Sequence, residues 1–296
     1  MKNKIIYLSF LLLFSCSSNS EKTIVIEEVE DDTTVIENNI LETIYYSIPS
    51  PLETTILLKE KGPKFSKDLL FPAIELKNIS QKQHVALLLG VLSTDLNYAM
   101  IYEKQNETNQ LLEQVIDLAK LINLSTVIND ETKNRIDQNI NNKDSMQIII
   151  SDTFWEIDNS LKSNENHDLA ALLVTGGWIQ GLYLASGLSV LDSTNKAIED
   201  IIADQKIVHE NLINLATSFE YNSDINDYII TPLVELEEVF DLIEIQEVDT
   251  DTTTIIFKDN EYELGNYITF NFRDGDLKLI HSKINLIREN ILTQIL

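Results

Sequence analysis

The sequence predicts an all-α protein: an irregular array of antiparallel helical hairpins, with a small β-hairpin before the C-terminal helix. Three observations predict it. Only eight Gly and five Pro occur in 296 residues, too few breakers for a many-turned β fold. Apolar residues recur at intervals of three and four along most of the chain. Only residues 252–272 are dominated by β-branched and aromatic types.

The helical region starts after Pro49. Ser50-Pro51-Leu52-Glu53 reads as a capping box with Pro at the first helical position, and Gly62-Pro63 stops that helix. Ser80 and Gln83 open a second helix over 81–104. Leu111, Leu112, Val115, Ile116, Ala119 and Ile122 mark a third over 108–122. Met146, Ile149, Ile150, Phe154, Ile157 and Leu161 line one side of a helix over 144–161. Helices over 168–191, 195–219 and 226–246 follow, the last with Pro232 near its first turns. TTTIIFKDN and YITFNF, with Gly265-Asn266 between them, read as the two strands of a hairpin. Leu277, Ile280, Ile284, Ile287 and Ile291 mark a final helix over 275–295. Most connections are short, so consecutive helices are expected to pack antiparallel. A tetratricopeptide register fails, because it places Tyr102 where a small residue is needed.

The first residues set the expected address. Lys2 and Lys4 precede a ten-residue apolar run, Ile5 to Phe14, too short to cross a bilayer but suited to a signal peptide. Leu13-Phe14-Ser15-Cys16 resembles a bacterial lipobox, although Phe14 is bulky for its place. Cys16 is the chain's single cysteine and stands where lipidation requires it. The expected division is a signal peptide over 1–15, a lipidated Cys16 with an acidic tether over 16–48, and one helical domain over 49–296. A covalent lipid on Cys16 is the one expected cofactor. Two or more acyl chains hold a protein stably on a membrane, which a fully lipidated cysteine supplies. Ser17, rather than Asp, favours outer-membrane sorting.

Charge limits the partners. The formal net charge is −26, and loss of Lys2 and Lys4 with the signal peptide makes it −28. Nucleic-acid binders carry basic faces, so nucleic acid is excluded as a partner. Contact with the membrane is expected through the lipid anchor only, leaving an envelope protein or a small ligand as partner.

Two helices are apolar on every side. Leu169 to Leu191 runs 23 residues without a charge, flanked by Asp168 and Asp192. It reads as the centre of a helical domain; a membrane span is the alternative. Gly176, Gly177, Gly181 and Gly187, half of all the glycines, fall in twelve residues of it. They imply close helix packing, or room for a ligand against Trp178 and Tyr183. Asp95 lies in the other apolar helix, near Gly90 and Tyr98. Its carboxylate needs a partner there: a helix end, a Tyr hydroxyl or the Trp178 indole. Asp95, Tyr98, Trp178, Gln180 and Tyr183 are therefore the candidates for a ligand pocket or a buried polar cluster.

Catalytic and metal motifs are not found. His84, His167, His209 and His281 sit on separate segments, without metal-site spacing, and read as surface or boundary residues. No GxSxG, P-loop or calcium loop occurs.

Leu89-Gly90-Val91, Asp95-Leu96, Tyr98-Ala99 and above all Gly176-Gly177-Trp178-Ile179-Gln180-Gly181-Leu182-Tyr183 resemble an uncharacterised family of helical lipoproteins of Bacteroidota. Glu is usual in that family where this chain has Gln180. The resemblance implies a fold and an envelope location, but no activity. Asp32-Thr33-Thr34 resembles the short sites that Bacteroidota glycosylate. The expected function is a non-catalytic binding or scaffolding domain in the cell envelope; the alternative is an envelope hydrolase with an unrecognised site.

Overall fold

Ser50 starts the first helix as its sequence requires. In the computed structural model its hydroxyl accepts from Glu53 N–H, and the Glu53 carboxylate accepts from Ser50 N–H. This helix, α1 (Pro51–Glu60), ends at Gly62, whose φ of +82° suits a residue without a Cβ. The structure describes residues 45, 47–75, 79–139, 142–248, 255–258, 261–264 and 267–296. All lie in the compact unit Ile40–Leu296. Residues 1–44, with Cys16 and most of the expected tether, and the Gly265-Asn266 pair lie outside the described residues, whereas Tyr45 and Ile48, expected in the tether, are buried in the helical domain.

The helices that follow are α2 (Lys82–Ile101), α3 (Gln105–Leu121), α4 (Asp130–Asn139), α5 (Lys143–Ser163), α6 (His167–Leu191) and α7 (Ala197–Thr217). The chain closes with α8 (Asp276–Asn290) and a π-helical turn, Ile291–Ile295. The fold is all-α in class, with a small antiparallel β element before α8. Its centre is the α2–α6 pair. Every residue of α2 from His84 to Ile101 is buried, and so is nearly all of α6. Among the described residues these two helices are long and apolar enough to cross a membrane, and both are enclosed by protein.

The two central helices run in the same direction, because Gln83 meets Asp168 and, further along, Asp95 meets Gln180. Glycine lets their backbones touch. A Cβ on Gly90 would lie 2.0 Å from the Leu173 carbonyl oxygen, and one on Gly176 would lie 2.0 Å from that of Leu87. The relation is reciprocal: each glycine faces the carbonyl three residues ahead of the other. Such Cα–H···O contacts contribute roughly 0.5–1 kcal/mol each. Thr94 adds a hydroxyl that donates to Gly90 O at 3.0 Å and Gly177 O at 3.2 Å.

Two expected elements differ. The helix expected over 226–246 is broken into Ser223–Ile225, a π turn Asn226–Ile230, Thr231–Glu235 and Glu237–Phe240. Pro232 has no N–H for the Tyr228 carbonyl four residues earlier. That oxygen accepts instead from the Asn290 side chain at 2.9 Å. The end of the expected helix is a strand, β1 (Glu244–Val248). β2 (Ile255–Lys258) pairs with β3 (Glu261–Leu264), Lys258 opposite Glu261, while β4 (Tyr267–Asn271) pairs with β1, Glu244 opposite Asn271. The expected pairing of 252–260 with 267–272 is thus replaced by two nested pairs. β2 takes its nearest neighbour in sequence, which leaves β4 for β1. Helix α4 was not expected. It is strongly polar and buries only Thr132 and Ile136 among its described side chains.

Candidate functional site

Between α1 and α2 the chain runs from 61 to 81 with one 3₁₀ turn, Lys67–Leu69, as its regular structure among the described residues. Leu69 and Phe71 are buried, so the peptide groups beside them leave water and need partners. Side chains from three helices supply them. Tyr98 of α2 accepts from Ser66 N–H at 2.9 Å. Asp95 of α2 accepts from Phe71 N–H at 2.5 Å. Gln180 of α6 donates to Leu69 O at 3.1 Å. Arg288 of α8 donates to Leu70 O at 2.7 Å.

These side chains also bond one another. Gln180 Nε2 donates to Asp95 Oδ1 at 2.6 Å, and Arg288 Nε donates to Gln180 Oε1 at 3.1 Å. Asp95 and Gln180 are fully buried, and Arg288 is 4% exposed. The Arg288 guanidinium lies 4.2 Å from the Tyr183 ring centroid and 5.1 Å from that of Phe71. Tyr183 in turn stacks on His281 at 5.1 Å. Burial pushes the Asp95 carboxyl up to about 7, against the Phe71 N–H, the Gln180 amide and the Arg288 charge, which pull it down. Both Asp95 oxygens face N–H donors, so a protonated Asp95 must break one bond.

Four of the five sequence candidates therefore surround this clamp: Asp95 and Gln180 within it, Tyr98 beside it on Ser66, and Tyr183 over Arg288. Trp178 does not. Two residues before Gln180, it projects about 200° away around the helix. Its indole donates to Gln205 at 2.9 Å and packs against His209 and Phe240. The Trp178 indole is thus not the partner of Asp95, and the five side chains do not line one pocket. The clamp is closed on the protein's own backbone.

The glycines serve close packing rather than an opening for a ligand. A Cβ on Gly177 would meet Pro51 at 2.9 Å, and one on Gly187 would meet Leu69 at 2.6 Å. Gly181 is looser, with Thr54 Cγ2 at 3.3 Å. Two histidines correct the sequence reading. His84 is 5% and His209 2% exposed. Burial holds both below the usual imidazole range, and His209 Nε2 meets the Leu233 carbonyl at 2.8 Å. Among the described residues no three His, Cys, Asp or Glu side chains group as a metal site would.

Arg288 was missed in sequence, although a signal existed. It falls on the stripe of Ile280, Ile284, Ile287 and Ile291, where a cation faces the core. Accessible concavities lie elsewhere. A cleft of about 300 Å³ opens between the start of α1 and α5, with Asn97 of α2 and Val174 of α6 contributing to its lining. No family model, curated protein or solved structure matches this chain.

Proposed function

We propose that this chain is a lipid-anchored protein of the cell envelope, sorted to the outer membrane, whose helical domain binds or scaffolds rather than catalyses. The lipobox and acidic tether support the address. The observation that carries the non-catalytic reading is the destination of the polar side chains: Asp95, Gln180 and Arg288 satisfy one another and the backbone of residues 69–71. A catalytic acid or base must instead face a site that substrate can enter. The resemblance through Gly176–Tyr183 accords with this reading and assigns no chemistry.

The test is metabolic labelling with an alkynyl fatty acid, followed by membrane fractionation. The wild-type chain is expected to carry label and sediment with membranes, and Cys16→Ser to lose both. Unlabelled wild-type protein would overturn the anchor. A hydrolase activity abolished by Asp95→Asn, with the fold intact by circular dichroism, would overturn the non-catalytic reading.

A further inference from the structure

The cleft beside α1 holds acceptors that nothing among the described residues satisfies. Asn97 is 1% exposed and lines the cleft, yet its Oδ1 has no hydrogen-bond partner. Asp158 lines it too. One of its oxygens takes the Lys162 ammonium at 2.7 Å, and its buried Oδ1 has no partner. A shielded oxygen without a donor costs about as much as a lost hydrogen bond. Two such atoms in one cleft describe a site that waits for N–H or O–H groups.

The remaining lining defines what carries those donors. Ile48, Pro51, Leu52, Ile150 and Phe154 make most of the wall apolar. Trp155 stands at the cleft with 63% of its surface exposed, so its ring face is open to a ligand. Its face and that of Phe154 suit a cation. Formal charge points the same way: Glu53 and Asp158 outnumber Lys162, whose ammonium is already placed against Asp158 and the Tyr45 ring at 3.8 Å.

We propose that this cleft binds a small cationic amphiphile, an amine with an aliphatic or aromatic body, whose N–H groups satisfy Asn97 and Asp158 while the body covers Phe154 and Trp155. The inference deepens the reading of the domain as a binding module and is independent of the lipid anchor, because it concerns the lipid-free protein.

The experiment is saturation-transfer NMR on the mature chain, residues 16–296 with Cys16→Ser. The probes share one body: 3-phenylpropylamine, 3-phenylpropan-1-ol and 3-phenylpropionate. The amine is expected to bind saturably, the alcohol more weakly, and the carboxylate least. Asn97→Leu is expected to weaken the amine about tenfold, as for loss of one charge-assisted hydrogen bond. Trp155→Ala, at an exposed position that leaves the fold intact, is expected to weaken it about threefold to fivefold. Trp155→Ala decides the matter if Asn97→Leu does not fold. The proposal is overturned by carboxylate binding equal to the amine, by amine binding unchanged in Trp155→Ala, or by no saturable binding of any probe. Binding with no lipid label on the native protein would sink the anchor and leave the cleft standing; label without binding would do the reverse.

Discussion

Replacing Gly90 with Ala tests the central contact of the fold. The added Cβ would sit 2.0 Å from Leu173 O and 2.7 Å from Gly177 N, both backbone atoms that no rotamer change can move. Restoring an ordinary contact near 3.4 Å requires α2 and α6 to part by roughly 1.4 Å locally. A radial gap of about 1 Å already forfeits up to half of each dispersion contact, at about 0.1–0.2 kcal/mol per atom pair. Across some tens of pairs that is on the order of 2 kcal/mol, and overpacking strain adds about 1–3 kcal/mol. Better helix propensity returns about 1 kcal/mol. The expected net loss is about 2–4 kcal/mol, measured by urea unfolding and read as a Tm lower by roughly 5–15 °C. Gly181→Ala is the internal control. Its Cβ meets only the Thr54 side chain, at 3.3 Å, so the expected change is within about 1 kcal/mol. Equal effects at the two positions, or a stabilised Gly90→Ala, would refute the backbone-contact account.

Arg288→Met leaves Leu70 O and Gln180 Oε1 without donors and Asp95 without its cation. Its expected cost is about 3–5 kcal/mol in urea unfolding. The Asp95 carboxyl titrates higher in the folded chain than in the unfolded one, so the folded state holds the proton longer. Stability from this group is then full below about pH 4 and lost as pH rises towards 7. Wild-type protein should lose stability relative to Asp95→Asn between about pH 4 and pH 7, and parallel pH profiles would exclude Asp95 as the source. Gln180→Glu sets a second carboxylate against Asp95 Oδ1, now 2.6 Å from the amide, and should destabilise more steeply with rising pH in thermal melts. The two tryptophans should part company: Trp178→Ala costs about 3–5 kcal/mol, whereas Trp155→Ala stays within about 0.5 kcal/mol. Iodide should quench only Trp155, since Trp178 is 6% and Trp155 63% exposed.

Much of this architecture is legible from residue spacing. Ser50 with Glu53 marks the start of α1 because a capping box acts through local bonds alone. The uncharged runs around Gly90 and Gly176 mark the central helices because a helix apolar on all sides must be enclosed. Helix α4 escapes the same reading, since a polar helix with two buried side chains among those described has no stripe to read. EIQEV at 244–248 escapes because its partner, β4, is recruited from beyond another strand pair. At the polar cluster, Asp95 announces itself as a carboxylate among apolar residues. Its backbone partner Phe71 does not, because no side-chain pattern shows which peptide group leaves water. Trp178 was grouped with Gln180 by proximity in sequence, whereas helical geometry sends their side chains to different neighbours. Asn97 carries no sequence signal, because an oxygen without a donor is visible only once α1 and α5 enclose it.

The clamp also orders events in time. Its parts come from residues 69–71, 95, 180 and 288, so the Arg288 bond to Leu70 O closes a loop of 218 residues. Until the last helix arrives, Leu70 O and Gln180 Oε1 lack the donors that Arg288 supplies. Contacts separated by so much chain must offset a large loop-closure entropy before they contribute. The Arg288 contact therefore belongs to the late, slow part of folding, after the local helices have formed.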